Sequence, residues 1–264
     1  MSGLLILGMH RSGTSCLAGC LQAAGLHLGD VNTYAHFNQR GNREHEPIRD
    51  LHEQVLAKHG YAWSNPPSHQ LEFSGADLDD LRQHVDELQK QAYWGIKDPR
   101  TVFFAEAWNT QFDCRAVGTY RHPLEVAESL ESRAKKWNQD MSRADALALW
   151  NTYNRELLRL RSRRPFMLIR YGMSVEQYTD QISALAQQLG LDATRAVSFY
   201  SQELTHQNSA DRDVPECCVE TWEQLQSAWR ETCEDLGAHR ALSAMANESN
   251  LKHGADRLNA GSHG

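Results

Sequence analysis

The chain has 264 residues, a formal net charge of -7, 41% hydrophobic residues and 23% charged ones. That balance excludes a disordered or fibrous chain and supplies enough apolar material for one α/β core. The acidic excess argues against general nucleic-acid binding, which needs a basic face to neutralise phosphates.

Residues 4–7, "LLIL", read as a short strand buried on both faces. Gly8 ends it. A helix is expected from about Gly13 to Ala24, with Leu17, Cys20, Leu21 and Ala24 on one stripe and Gly25 as its stop. Residues 26–46 are polar and aperiodic, a long loop of the functional or mobile kind. Helices follow over about Pro47–Lys58 and Asp77–Gln91, separated by a loop broken at Pro66-Pro67. "YWGI" is a strand, "KDPR" its exit, and 100–111 a helix. "CRAVGTYR" is a strand and "HPLEVAESLESR" opens a helix. A long helix runs from Arg143 to about Arg161, "FMLIRY" is a strand, and Ser174–Leu189 is a helix ended by Gly190. Beyond Ser201 the chain is polar, with a helical stretch near 219–236.

Strands alternate with helices, so the fold class is α/β: a three-layer sandwich like that of P-loop proteins, with a largely parallel central sheet and helices on both faces. The expected organisation is one α/β domain over 1–200, a helical extension over 201–250 packed on it, and a frayed tail over 251–264. Ligands on such sheets bind at the carboxyl ends of the strands. That rule puts Arg11, Lys97, Arg121 and Tyr171 on one rim.

"GMHRSGTS", residues 8–15, follows the first strand. Its Gly8…Gly13 spacing matches the G-x-x-x-x-G of a phosphate loop. Gly8 and Gly13 let the backbone wrap an anion, and Ser12, Thr14 and Ser15 add hydroxyl donors. The helix that follows contributes its dipole. Thr14 stands where a nucleoside triphosphatase carries lysine, and the cation has moved to Arg11. Such a loop suits an anion with two tetrahedral centres, held without a metal.

These residues carry a family resemblance. "HRSGTS" resembles the 5′-phosphosulfate loop of sulfotransferases that use 3′-phosphoadenosine 5′-phosphosulfate (PAPS). "YRHPLEVAESLESR" resembles that family's 3′-phosphate site, with Arg121 at a strand end and Ser129 eight residues on. "GIKDPRT" is similar to a motif of a largely bacterial branch, where the lysine lies near the transferred sulfuryl group. "LIRYGMS" resembles the family's "RYEDL" strand end, with Gly172, Met173 and Ser174 in place of the acidic pair; it would put Tyr171 near the adenine. The likeness spans roughly residues 3–190. It implies PAPS as donor, with His10, Arg11, Ser12, Gly13, Thr14, Ser15, Arg121, Ser129 and Tyr171 as nucleotide contacts.

Sulfuryl transfer needs alignment and charge neutralisation rather than covalent help. Arg11 is the first choice for stabilising the bridging oxygen, with Lys97 beside it. A proton acceptor is also needed. In "NQRGNREHEPIRDL", Gly41 and Glu44 fit a glycine and a helix-starting glutamate of the resembling branch, with Arg43 where its aromatic would stand. Glu44 is the first candidate base, His45 and Glu46 are rivals, and Asp98 is a further catalytic candidate. Asp98-Pro99 and His122-Pro123 both also read as helix caps. The acceptor is expected to be a small molecule, glycan or lipid. A kinase-like enzyme and a non-catalytic nucleotide-binding scaffold are the alternatives.

The rest reads blandly. His45, His52 and His59, seven apart, are spread over about 21 Å of helix, too far to share a metal. The six cysteines lack zinc-like spacing, no apolar run reaches about 18 residues, and no signal-like segment is visible, so the expected location is cytoplasmic. "RLRSRR" at 159–164 is a cationic helix end that could greet an acidic acceptor. Trp63, Trp94, Trp108 and Trp137 are core candidates, any of which could stack on an acceptor.

Overall fold

A strand that presents hydrophobic residues at every position has two faces to bury. The computed structural model, which describes residues 3–34, 41–200 and 212–237, meets that demand with layers on both sides of a sheet. Strand β1 (Gly3–Leu7) is buried throughout. Its Leu4 and Ile6 join one apolar cluster, and its Leu5 and Leu7 join the other. The four strands are all parallel, in the order β2 (Gly95–Lys97), β1, β3 (Cys114–Tyr120), β4 (Met167–Arg170).

Helices α1 (Thr14–Ala23), α7 (Val175–Leu189) and α8 (Ala193–Ser198) cover the Leu4/Ile6 face through Leu17, Leu21, Ile182, Leu185 and Ala196. The other face carries α2 (Glu46–Lys58), α3 (Gly75–Gln89), α4 (Ala105–Gln111), α5 (Pro123–Lys136), α6 (Arg143–Arg163) and a final helix α9 over 219–237. Their shared core includes Leu51, Val55, Leu81, Trp108, Leu130, Trp150 and Leu157. Each such side chain contributes roughly 1.5–3 kcal/mol by leaving water.

Side-chain caps set several helix starts. Ser74 and Asp77 form a reciprocal capping box on α3. Ser142, Ser174 and Asp192 cap α6, α7 and α8. The exposed side of β4 is closed from above and below its plane. Leu168 N–H donates to Thr232 of α9 at 3.0 Å, and Arg170 N–H donates to Gln181 of α7 at 3.3 Å. Both bonds use strand groups that would otherwise invite another chain.

Two expectations need correction. Residues 100–111 are not one helix: a 3-10 turn at Pro99–Phe103 is separated from α4 by Phe104, whose φ is -123°. Phe104 leaves the helical path to stack on His52, 4.7 Å between ring centres. Helix α8, which the sequence reading left out, forms behind the Asp192 cap. The frayed tail expected over 251–264 lies outside the described residues. Among the described residues, no helix is long and apolar enough to cross a membrane.

The strand ends fix the site. β1 leads into Gly8, β2 ends at Lys97, β3 leads into Arg121 and β4 into Tyr171. The register Ile6–Lys97 and Tyr120–Arg170 brings these exits to one edge.

Candidate active site

The loop between β1 and α1 is built around three left-handed residues, Gly8 (φ 147°), Arg11 (φ 66°) and Gly13 (φ 86°). Glycine is required at two of them. A Cβ on Gly8 would lie 2.4 Å from the Thr119 carbonyl oxygen, and one on Gly13 would lie 2.4 Å from the Tyr171 ring. Arg11 occupies the strained region without that freedom, which places its side chain on the rim. Thr119 Oγ1 donates to the Ser12 carbonyl at 3.1 Å, clasping the loop to β3. No side chain caps the start of α1, and no acidic residue lies in its first turn. The first amides of the helix therefore face the loop with their positive end uncompensated. Ser12 Oγ is buried without a hydrogen-bond partner. An oxyanion seated in this loop would satisfy both.

Helix α5 runs past the loop and presents a ladder one turn apart: Glu125, Ser129 and Arg133, with Arg121 just before the helix. Glu125 is buried, and its Oε2 accepts from Arg121 Nε at 2.6 Å. Arg121 Nη1 reaches the Arg11 carbonyl at 3.5 Å, and its guanidinium lies 5.2 Å over the Tyr171 ring. Arg11 Nε donates to Ser129 Oγ at 2.7 Å. Arg133 stacks 4.4 Å over Trp63. Burial, then the charges of Arg133 and Arg121, lower the pKa of Arg11. Burial raises that of the Tyr171 hydroxyl. Three guanidiniums thus surround one space, a field that favours an anion.

The 41–44 segment closes the opposite wall. The Asn42 carbonyl accepts from Ser15 Oγ at 3.1 Å and from Lys97 Nζ at 2.8 Å. Lys97 Nζ also donates to Glu44 Oε1 at 2.7 Å, a pair almost wholly out of water. The rivals of Glu44 face elsewhere. His45 sits at the start of α2 with its ring 5.9 Å from His84, and Glu46 is exposed and paired with Arg49 at 3.6 Å.

Asp98 is committed to structure. Its Oδ1 accepts from the Arg100 amide at 3.2 Å and from Arg100 Nη1 at 2.7 Å, and its Oδ2 meets His52 Nδ1 at 2.7 Å. Burial alone would raise its pKa; the Arg100 charge and the His52 bond overcome that and hold it far below the usual carboxylate range. His52, at the centre of the seven-residue series, is fully buried and accepts from Trp108 Nε1 at 3.1 Å. His122 likewise works as a cap, its Nδ1 accepting from the Leu124 amide at 3.3 Å.

The structure therefore brings His10 through Ser15, Glu44, Lys97, Arg121, Ser129 and Tyr171 to one edge of the sheet. Sequence reasoning missed Glu125 and Arg133, although their four-residue spacing from Ser129 was visible in "EVAESLESR". It also left four tryptophans undistinguished: Trp94 and Trp108 are core, Trp137 is exposed, and Trp63 lies at the site. The basic run 159–164 lies away from this edge and is engaged in structural contacts. Arg161 donates to the Phe166 carbonyl just before β4, at the amino end of the sheet, and Arg159 and Arg163 pair with Glu106.

Comparison with known proteins places the fold. The structure resembles the sulfotransferase domain of the Synechococcus PCC 7002 olefin synthase, with a TM-score of 0.54 and 19% identity over 86% of this chain and 94% of that one. It also matches the sulfotransferase STF1 of Mycobacterium tuberculosis H37Rv, with a TM-score of 0.44 and 15% identity over 85% of this chain and 76% of that one. No family model matches the chain, and no curated protein matches it in sequence. The first likeness establishes a fold shared with a sulfotransferase domain.

Proposed function

We propose that the chain is a sulfotransferase that moves a sulfuryl group from PAPS to an acceptor hydroxyl or amine, by in-line displacement without a metal. One observation carries this reading: Arg11 of the anion loop and Ser129 of α5 meet at 2.7 Å, with Arg121 against the Arg11 carbonyl. Groups suited to two anions, 110 residues apart in sequence, thus adjoin, which is what a nucleotide phosphorylated at both its 5′ and 3′ ends would require.

In this reading the amides of α1, Ser12, Thr14 and Ser15 hold the 5′-phosphosulfate. Arg121 presents its fork to the 3′-phosphate while Glu125 fixes its Nε, and Ser129 adds a hydroxyl. Tyr171 lies beside Arg121, on the nucleoside side. Arg11 neutralises charge on the bridging oxygen as its bond to sulfur breaks. Glu44 accepts the proton of the acceptor hydroxyl as its oxygen bonds to sulfur, and Lys97 holds that carboxylate in place. Adenosine 3′,5′-bisphosphate is the leaving product. Asp98 takes a positioning role, fixing Arg100 and the turn after Lys97.

The test is thermal stabilisation by adenosine 3′,5′-bisphosphate against ATP with magnesium. The bisphosphate should raise Tm and ATP–magnesium should not. The reverse order would favour a kinase-like enzyme. Transfer of labelled sulfate from PAPS to a panel of acceptors then separates an enzyme from a scaffold.

A further inference from the structure

The α5 ladder continues one rung past the residues that the nucleotide uses. Rungs four residues apart are about 6 Å apart along the axis. Arg133 lies one rung past Ser129, whose Oγ meets Arg11 at 2.7 Å, and its charge acts on Arg11, the residue assigned to the reacting oxygen. It carries no ion pair among the described residues. Its neighbour Arg100 is different, being neutralised by Asp98 and Glu53. Burial, then the Arg100 charge, lower the pKa of Arg133.

Arg133 is held by an aromatic plate instead of a carboxylate. Its guanidinium sits 4.4 Å over Trp63, an arrangement that keeps a cation in place while leaving its N–H edge available. The backbone that carries the plate is anchored, because Tyr153 OH donates to the Trp63 carbonyl at 3.0 Å. The His10 ring meets the same indole edge-on at 4.9 Å. His10 is 8% exposed, and its Nε2 is buried without a partner. Burial, then Arg100 and Arg133, keep this imidazole neutral. A cation and an unsatisfied ring nitrogen thus share one plate; His10 is the sequence neighbour of Arg11, and the charge of Arg133 acts on Arg11.

We propose that Trp63, Arg133 and His10 form an acceptor subsite for an oxyanion, so that the acceptor is a hydroxylated molecule bearing a carboxylate or phosphate. This rests on the sulfotransferase reading. Arg133 pairs with the anion, and His10 gives it a hydrogen bond. The anion lies about one helical turn, roughly 6 Å, beyond the reacting oxygen.

The experiment uses the full chain saturated with adenosine 3′,5′-bisphosphate. Dissociation constants are measured by saturation-transfer NMR for 4-hydroxyphenylacetate, its neutral amide and 4-hydroxybenzylphosphonate. Both anions should bind about tenfold more tightly than the amide. Comparing the two anions tells carboxylate from phosphate as the favoured group. Arg133→Gln should erase the preference, and Arg133→Lys should keep part of it. Both variants should bind the bisphosphate within about threefold of wild type, which also reports that they fold. Equal binding of acid and amide to wild type overturns the proposal, as does a preference that survives Arg133→Gln. A large loss of bisphosphate affinity in Arg133→Gln overturns it too, by assigning the guanidinium to the nucleotide. If wild type fails to bind the bisphosphate, the sulfotransferase reading falls and takes this proposal with it.

Discussion

Glu44 and Lys97 form a pair held at 2.7 Å with almost no access to water. Such pairs are costly to break from one side, because the remaining charge is left buried. Glu44→Gln keeps the shape and a hydrogen bond to Lys97 while removing the proton acceptor. Turnover should fall by about 10²–10⁴-fold, with bisphosphate affinity nearly intact; single-turnover kinetics and calorimetry check the two halves. Unchanged turnover would remove Glu44 from the role of base. Arg121 offers a second residue-scale test. Arg121→Ala should weaken adenosine 3′,5′-bisphosphate far more than adenosine 5′-phosphosulfate. Glu125→Gln should do the same more mildly, about tenfold, because it releases the Arg121 Nε that it now holds at 2.6 Å. Equal losses for both nucleotides would contradict the 3′ assignment.

At the scale of elements, the start of α1 depends on what packs beneath it. Gly13→Ala would place a methyl group 2.4 Å from the Tyr171 ring at a φ of 86°. The cost should be about 1–3 kcal/mol of stability, and bisphosphate stabilisation should disappear. Ser74→Ala, on the far-off α3 capping box, should cost about 1 kcal/mol and leave bisphosphate binding unchanged. Urea titration with and without the nucleotide separates these outcomes. The contrast between local and distant determinants also explains what the sequence could reveal. The β1 run and the glycine-bounded loop are local patterns legible in the sequence itself, and the Arg121–Ser129 spacing is legible through the family resemblance. The meaning of Glu125 and Arg133 is not local. An i, i+4 stripe says that residues share a helix face, and only the packed partners decide whether that face meets solvent or a cleft. His52 illustrates the same limit. Its partner Asp98 is 46 residues away, so spacing on its own helix could exclude a shared metal but not reveal a buried support. Phe104 broke an expected helix for the same reason, since its stacking on His52 is a tertiary contact.

The whole molecule should respond to acid through buried groups. His122 is held down to about 4 by burial, and His10 is also well below its ordinary value. An imidazole depressed in the folded state protonates first in the unfolded one. Its contribution is therefore complete above the unfolded pKa of about 6.5 and is lost as pH falls toward the folded value. Each such histidine adds a slope approaching about 1.4 kcal/mol per pH unit in that window. Asp98 adds a second decline that becomes full below about pH 3.9, once the unfolded carboxylate is more than half protonated while the folded one is still charged. Urea midpoints should hold from pH 7.5 to about 6.5 and then fall toward pH 4, and His122→Gln should make the fall shallower. A flat profile would contradict the burial that the packing implies.

The strand order has a consequence for how the protein is made. β1 is synthesised first, yet it occupies the interior of the sheet between β2 and β3. A nascent chain leaving the ribosome therefore carries its anion loop long before Thr119 and Tyr171, which clasp and underlie it, have been translated. Closing contacts of that separation is slow compared with helix formation. The loop can take its shape only once the fourth strand has emerged, and premature termination before residue 171 should yield a chain with the loop's sequence but not its shape.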